Sequence, residues 1–163
     1  MTTYSRSKQN KGSWKNRLPT KNYMSLKNYT TKIPANRSVN EIQEMLQKAG
    51  ATGSLLEYEK ETGRISSLSF KIEINGNNVG FKLPLKWKNV QAVLANEKNN
   101  RAKDDNYVYR VAWRILRNWV DVQMALIKIE QVDLQQVFLP YTIQKNGKTL
   151  YENVLDNPQL LIA

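Results

Sequence analysis

The stretch ISSLSFKIEINGNNVGFKLP, residues 65–84, decides how this chain folds. Leu68, Phe70, Ile72 and Ile74 alternate with Ser67, Ser69, Lys71 and Glu73, the period-two pattern of a strand with one apolar and one wet face. Asn75-Gly76 then supplies the two positive-φ positions that a type I′ turn needs. A two-residue loop there pairs Ile72 with Val79, Phe70 with Phe81 and Leu68 with Leu83, every pair apolar and on the same face, so the register supports itself. Upstream, SLLEYEKETGRIS predicts a second hairpin through Glu61-Thr62-Gly63, pairing Tyr58 with Ser66 and Leu56 with Leu68. The product is a three-stranded antiparallel meander with one apolar face.

Helices are expected on either side of it. Ser38 followed by Glu41 has the spacing of a capping box, and Ile42, Met45 and Leu46 recur at helical intervals up to Gly50, which predicts a helix over about 39–49. After Pro84 a short helix is expected with Trp87, Val90, Val93 and Leu94 on one side. The third helix is long. Val108, Val111, Ile115, Trp119, Val122, Leu126 and Ile129 fall at steps of three and four, which predicts an amphipathic helix from Asp105 to Ile129 capped by Asp104 or Asp105. Opposite that stripe lie Arg110, Arg114, Arg117, Asp121 and Lys128, with Trp113 and Met124 at the edge. Asp133 is placed to cap a short turn through Phe138 ending near Pro140; beyond it YTIQKNGKTLYE reads either as a hairpin at Asn146-Gly147 or as a loop pinned by Tyr141 and Tyr151, and the final LLIA is expected to pack on the body or on another subunit.

Composition limits the function. The 163 residues suit one domain with an attached tail, and 40% hydrophobic residues suffice for a core. With no cysteine and no histidine, the chain cannot build a disulfide, a thiolate metal site, a Ser-His-Asp triad or a zinc hydrolase site. Its seven glycines are scattered and form no phosphate-cradling loop. Glu57, Glu59, Glu61 and Glu73 could gather on the wet face and hold magnesium as nucleases do, yet Lys60, Arg64 and Lys71 are interleaved with them, and cross-strand ion pairing is the simpler account. No catalytic residue, metal or cofactor is assigned, and a non-enzymatic protein is expected. MTTYSRSKQNKGSW lacks the apolar core of a signal peptide, and no run approaches the roughly 18 apolar residues of a membrane span, so the expected location is the cytoplasm, with no membrane partner.

The net charge of +11 is unevenly spread. Up to Ser38 there are nine basic residues (Arg6, Lys8, Lys11, Lys15, Arg17, Lys21, Lys27, Lys32 and Arg37) and no acidic one; the remainder carries 16 basic against 14 acidic, so the tail holds +9 and the body +2. The tail is rich in Ser, Thr, Asn and Lys, lacks apolar periodicity and carries Tyr4, Trp14, Tyr23 and Tyr29 singly. Residues 1–32 are therefore expected to be a disordered basic arm attached to a single compact domain, 33–163. Such an arm is either a solvated leader or a segment that neutralises phosphates while its aromatics stack on bases, each stacked base being worth about 1–3 kcal/mol. The complete absence of acids favours the second. The arginine strip of the long helix likewise reads as an ordinary solvated face or as a phosphate-facing one, since guanidinium groups fork onto phosphate oxygens.

YRVAWRILRNWVDVQMALI, followed by VFLPYTIQKNGKTLYE, resembles the C-terminal half of a family of small uncharacterised proteins encoded in bacterial genomes, phages and other mobile elements. The resemblance covers roughly Ile33 to Glu152, rests on AWRI-, VFLPY- and GKTLYE-like segments, and implies a setting of DNA mobility or host-phage conflict without a catalytic assignment. The element order also looks loosely like single-strand annealing proteins, a weak guide to function.

The expectation is an α+β domain, a three-stranded antiparallel meander packed against a long amphipathic helix, behind a basic N-terminal arm. Its expected function is sequence-independent binding of nucleic acid, single-stranded DNA or RNA, through Arg6, Lys8, Lys11, Trp14, Lys15 and Arg17 in the arm and Arg110, Arg114 and Arg117 on the helix. The alternative is a protein-binding inhibitor or adaptor acting on a host or phage enzyme, and a homo-oligomer is compatible with either.

Overall fold

The computed structural model describes residues 25–161. In chain order it contains α1 (Ala35–Lys48), β1 (Ala51–Tyr58), β2 (Ile65–Ile74), β3 (Asn77–Pro84), α2 (Trp87–Asn96), α3 (Asp105–Lys128), α4 (Leu134–Phe138) and α5 (Leu150–Asp156), with 3-10 turns at Leu139–Tyr141 and Pro158–Leu161. The fold is α+β. The sheet has the order β1-β2-β3 and is antiparallel throughout.

The β2-β3 hairpin has the expected register: Ile72 faces Val79, Phe70 faces Phe81 and Leu68 faces Leu83. Asn75 and Gly76 both take positive φ, 51° and 78°. The space around a Cβ at Gly76 is open, so a substitution there meets backbone strain and not a clash. Gly76→Val should therefore lower stability by about 1 kcal/mol or more, because a β-branched residue resists left-handed backbone; an unchanged melting temperature would remove the turn from the list of features that fix the register. In the first hairpin Leu56 faces Leu68 as expected, but a register shift after Glu57 pairs Tyr58 with Ile65, not Ser66. Glu59 N–H bonds to Arg64 O and Gly63 N–H returns to Glu59 O, closing a longer loop than the three residues expected.

Leu68, Phe70, Ile72, Phe81 and Leu83 are buried against the helices, with Val39, Ile42 and Leu46 of α1, Val108, Val111 and Val120 of α3, and Phe138 of α4. Each such side chain contributes about 1.5–3 kcal/mol by leaving water. The other face of the sheet is less wet than its sequence suggests. Ser67 and Ser69 are buried, and the ion pair of Lys82 with Glu57, 2.6 Å, lies on this face, where Ser67 also donates to Glu57.

Several local expectations fail for identifiable reasons. Helix α1 begins at Ala35, since Pro34, at φ −59° and ψ 146°, already starts it, and Ser38 is left inside the helix, fully buried and with its Oγ unpartnered. The capping box of Ser38 and Glu41 does not form. Val93 of α2, Val122 of α3 and Ile129 just after it are exposed, while the core continues along α3 through Trp119 and Val120. The capping of α3 by Asp104 and of α4 by Asp133, the latter with a full capping box to Gln136, agrees with the sequence. At Asn146-Gly147 a turn closed by the Ile143-Thr149 bridge leads directly into α5 under a Thr149-Glu152 capping box, so the segment is a turn and helix instead of a hairpin. Of the terminal LLIA, Leu160 and Leu161 end the last turn; Ile162 and Ala163 lie outside the described residues.

Candidate nucleic-acid interface

Helix α3 does not present its arginines to solvent. One oxygen of Glu41 on α1 accepts from Arg114 Nη1 at 2.8 Å and from Arg117 Nε at 2.7 Å, and the other accepts from Arg37 Nε at 3.1 Å. Arg117 is held at its far end too, by Asp121 Oδ2 at 2.8 Å. The arginine side chains are only 17% and 21% exposed. Arg110 is partly buried, and its Nε has no hydrogen-bond partner. Trp113 is fully buried, which removes it as a base-stacking group. The strip was expected to face away from the core because a helical wheel allows for one neighbour; α3 has α1 on that side and α2 on another. Arg114, Arg117 and Glu41 are thus a latch between two helices.

The latch has a pH signature. Partial burial opposes ionisation of Glu41, but the hydrogen bonds from Arg114, Arg37 and Arg117 outweigh it and hold the carboxyl below its ordinary value of 4.5. A folded-state value below the unfolded one contributes stability that is present above the ordinary carboxyl range and is lost as the pH falls through the folded value. Glu41→Gln should lower the melting temperature at neutral pH and flatten its fall on acidification. Replacing Arg114 and Arg117 together by Gln should cost about 1–2 kcal/mol, between exposed and buried pairs, and leave nucleic-acid affinity unchanged. A double variant of parental stability with weakened binding would restore the strip to the interface.

Arg6, Lys8, Lys11, Trp14, Lys15 and Arg17 lie outside the described residues. The root that follows them is built firmly onto the body. Leu26 N–H donates to both oxygens of Glu97 at 3.1 and 3.2 Å, Tyr107 hydroxyl donates to Tyr29 O at 2.5 Å, and Asn118 Nδ2 donates to Asn28 Oδ1 at 3.2 Å. Residues 26–29, assigned by sequence to the arm, therefore belong with the domain. Glu97 ends α2, and the connector beyond it carries Lys98, Arg101 and Lys103, all exposed. Asp104 and Asp105 follow the connector, the first capping α3 and the second paired with Arg64. Arg101 lies over the Tyr107 ring at 4.0 Å, beside the point where Tyr29 is bound. In the sequence Lys98, Arg101 and Lys103 belong to the run KNNRAK, residues 98–103.

The acids are dispersed. Glu57 is held below the ordinary carboxyl range by Lys82 and then Ser67, and Glu59 by hydrogen bonds from Thr62 and Trp87 Nε1, the latter at 3.0 Å. Among the described residues no three His, Asp or Glu side chains gather as a metal site would require. Nor is any helix among them long and apolar enough to cross a membrane. Comparison of the chain with protein-family models, with characterised proteins and with solved structures found no match.

Proposed function

We propose that this chain is a non-enzymatic nucleic-acid-binding protein, largely indifferent to sequence and preferring single strands, that serves recombination, replication or DNA protection in a phage or mobile element. One observation carries the reading: the first 38 residues hold nine basic side chains and no acid. Such a segment binds phosphate through the release of condensed counterions, a favourable term that every sequence supplies equally. Trp14 adds a stacking surface that favours unpaired bases. Support comes from the root of the arm: Leu26 is bonded to Glu97, next to exposed Lys98, Arg101 and Lys103. The setting follows from the family resemblance, and a cytoplasmic location goes with it.

The test is a titration with single-stranded and duplex DNA and RNA of mixed sequence at two salt concentrations. Binding should be tighter to single strands, similar across sequences, and much weaker at the higher salt. Absence of binding at moderate salt would reject the proposal. The rival, an inhibitor or adaptor of a host or phage enzyme, then has a seat: an apolar groove of about 640 Å³ walled by Leu85, Val90, Ile115, Trp119, Tyr141 and Tyr151.

A further inference from the structure

The two edges of the sheet are treated differently. Beyond β3, Thr142 bridges to Phe81 and Ile143 N–H donates to Gly80 O at 2.8 Å, so that edge is partly closed by the chain itself. Beyond β1 no strand pairs among the described residues. A free edge offers a row of unpaired N–H and C=O groups, and proteins that stay monomeric blunt it with lysine, proline or a covering segment. The strand ATGSLLEY contains no lysine, arginine or proline. Its one charge, Glu57, is engaged with Lys82 of β3 on the same face of the sheet. Instead the edge exposes apolar surface: Leu55 is 62% and Tyr58 60% accessible.

We infer that β1 pairs with β1 of a second copy of this chain, antiparallel about a twofold axis at Leu55, to give a continuous sheet of six strands from two of three. The register follows from the strand. Its pairing with β2 is irregular at Ala51/Gly53 and again at Glu57/Tyr58, which leaves Gly53 to Glu57 as the regular segment with Leu55 at its centre. Centring the pair there sets Leu55 of one copy against Leu55 of the other, Ser54 against Leu56, and Gly53 against Glu57. Leucine then meets leucine at the axis, and no like charges face each other across the seam.

The surroundings are also self-complementary. An open groove of about 450 Å³ lies between α1 and Ala51–Ser54, and Asn40, Gln43, Glu44 and Gln47 line its helix side above buried Leu46. Gln43 already donates to Ser54 Oγ at 2.9 Å. An amide both donates and accepts, so Asn40, Gln43 and Gln47 can meet amides of the second copy across a twofold axis, and they also offer N–H donors to its Glu44 carboxylate. The lack of any basic side chain among the groove residues also argues against a phosphate backbone as the occupant. This inference goes beyond the nucleic-acid proposal and does not depend on it.

Sedimentation of the full chain, without nucleic acid and from low to high micromolar concentration, tests the pairing. The parent should pass from one to two copies, and Leu55→Lys, which opposes like charges at the axis, should raise the dissociation constant at least about tenfold. A parent that stays monomeric throughout, or a Leu55→Lys variant that associates like the parent, would overturn the inference. Should the variant fail to fold, amide exchange of the parent over residues 51–58 decides: slower exchange at higher concentration supports the pairing, and exchange independent of concentration refutes it.

Discussion

Cutting the chain after Met24 is expected to lower its affinity for single-stranded nucleic acid by about 100-fold or more at low salt, with no change in melting temperature. The cut removes six basic residues, Arg6, Lys8, Lys11, Lys15, Arg17 and Lys21, together with Trp14. Each phosphate contact on a single strand adds about 0.7 to the slope of log affinity against log salt, so six contribute about 4, and raising salt fourfold weakens the parent about 300-fold through them alone. The truncated chain should lose that slope and keep only the weaker binding of the body, to which Lys98, Arg101 and Lys103 contribute. Cutting later would confuse the result. Leu26, Asn28 and Tyr29 are bonded to Glu97, Asn118 and Tyr107, so removing residues to 32 would also expose Tyr107 and loosen the body. If the shortened chain keeps the parental salt slope, the arm is a solvated leader and any phosphate contacts belong to the domain.

What could be read beforehand was whatever is decided within a few residues. The Asn75-Gly76 turn is local: two positive-φ positions and a period of two fix the pairing without reference to the rest of the chain. Asp104 and Asp133 were legible for the same reason, since a cap concerns the next three residues. The Ser38-Glu41 pair has the same spacing and failed because Pro34 started the helix a turn earlier, which released Glu41 to face α3. That contact spans 73 residues in sequence, and nothing local announces it. A helical wheel says which residues are apolar. It does not say how many elements will pack around the helix, and so it misplaced Arg114 and Arg117.

The candidate interface was legible in part. Charge asymmetry between tail and body is a property of composition and needs no fold. Where the arm is anchored is a tertiary fact, and it sets Lys98, Arg101 and Lys103 next to the bound Leu26. The engagement of Arg114 and Arg117 with Glu41 and the position of Lys98, Arg101 and Lys103 beside the root of the arm are two results of one arrangement: α3 is held between α1 and α2, and Tyr107 of α3 carries Tyr29.

Phe138→Ala is expected to be the most damaging single substitution, costing about 3–5 kcal/mol. Phe138 is fully buried, with its ring against Phe70 at 5.2 Å and 81°, against Trp119 at 5.7 Å and 90°, and against Phe81 at 6.0 Å. Phe70 and Phe81 are themselves stacked at 5.1 Å across the central hairpin, so the site is walled by rings that other contacts already fix and that cannot move in to fill the space. A domain of ordinary stability holds about 5–15 kcal/mol, so the loss is a large share of the total. It should also spread in one direction. Trp119 packs on Tyr141 at 5.6 Å, and the next two residues bridge to β3 through Thr142 and Ile143, so freeing Trp119 should loosen the chain from Leu139 to Leu161 before the meander opens. Denaturant unfolding measures the first effect and limited proteolysis the second, with Leu139→Ala as the reference because Leu139 is 53% exposed and its truncation should cost no more than about 0.5 kcal/mol. Equal losses for the two variants would mean that the C-terminal segment rests on the surface of the domain and does not close its core.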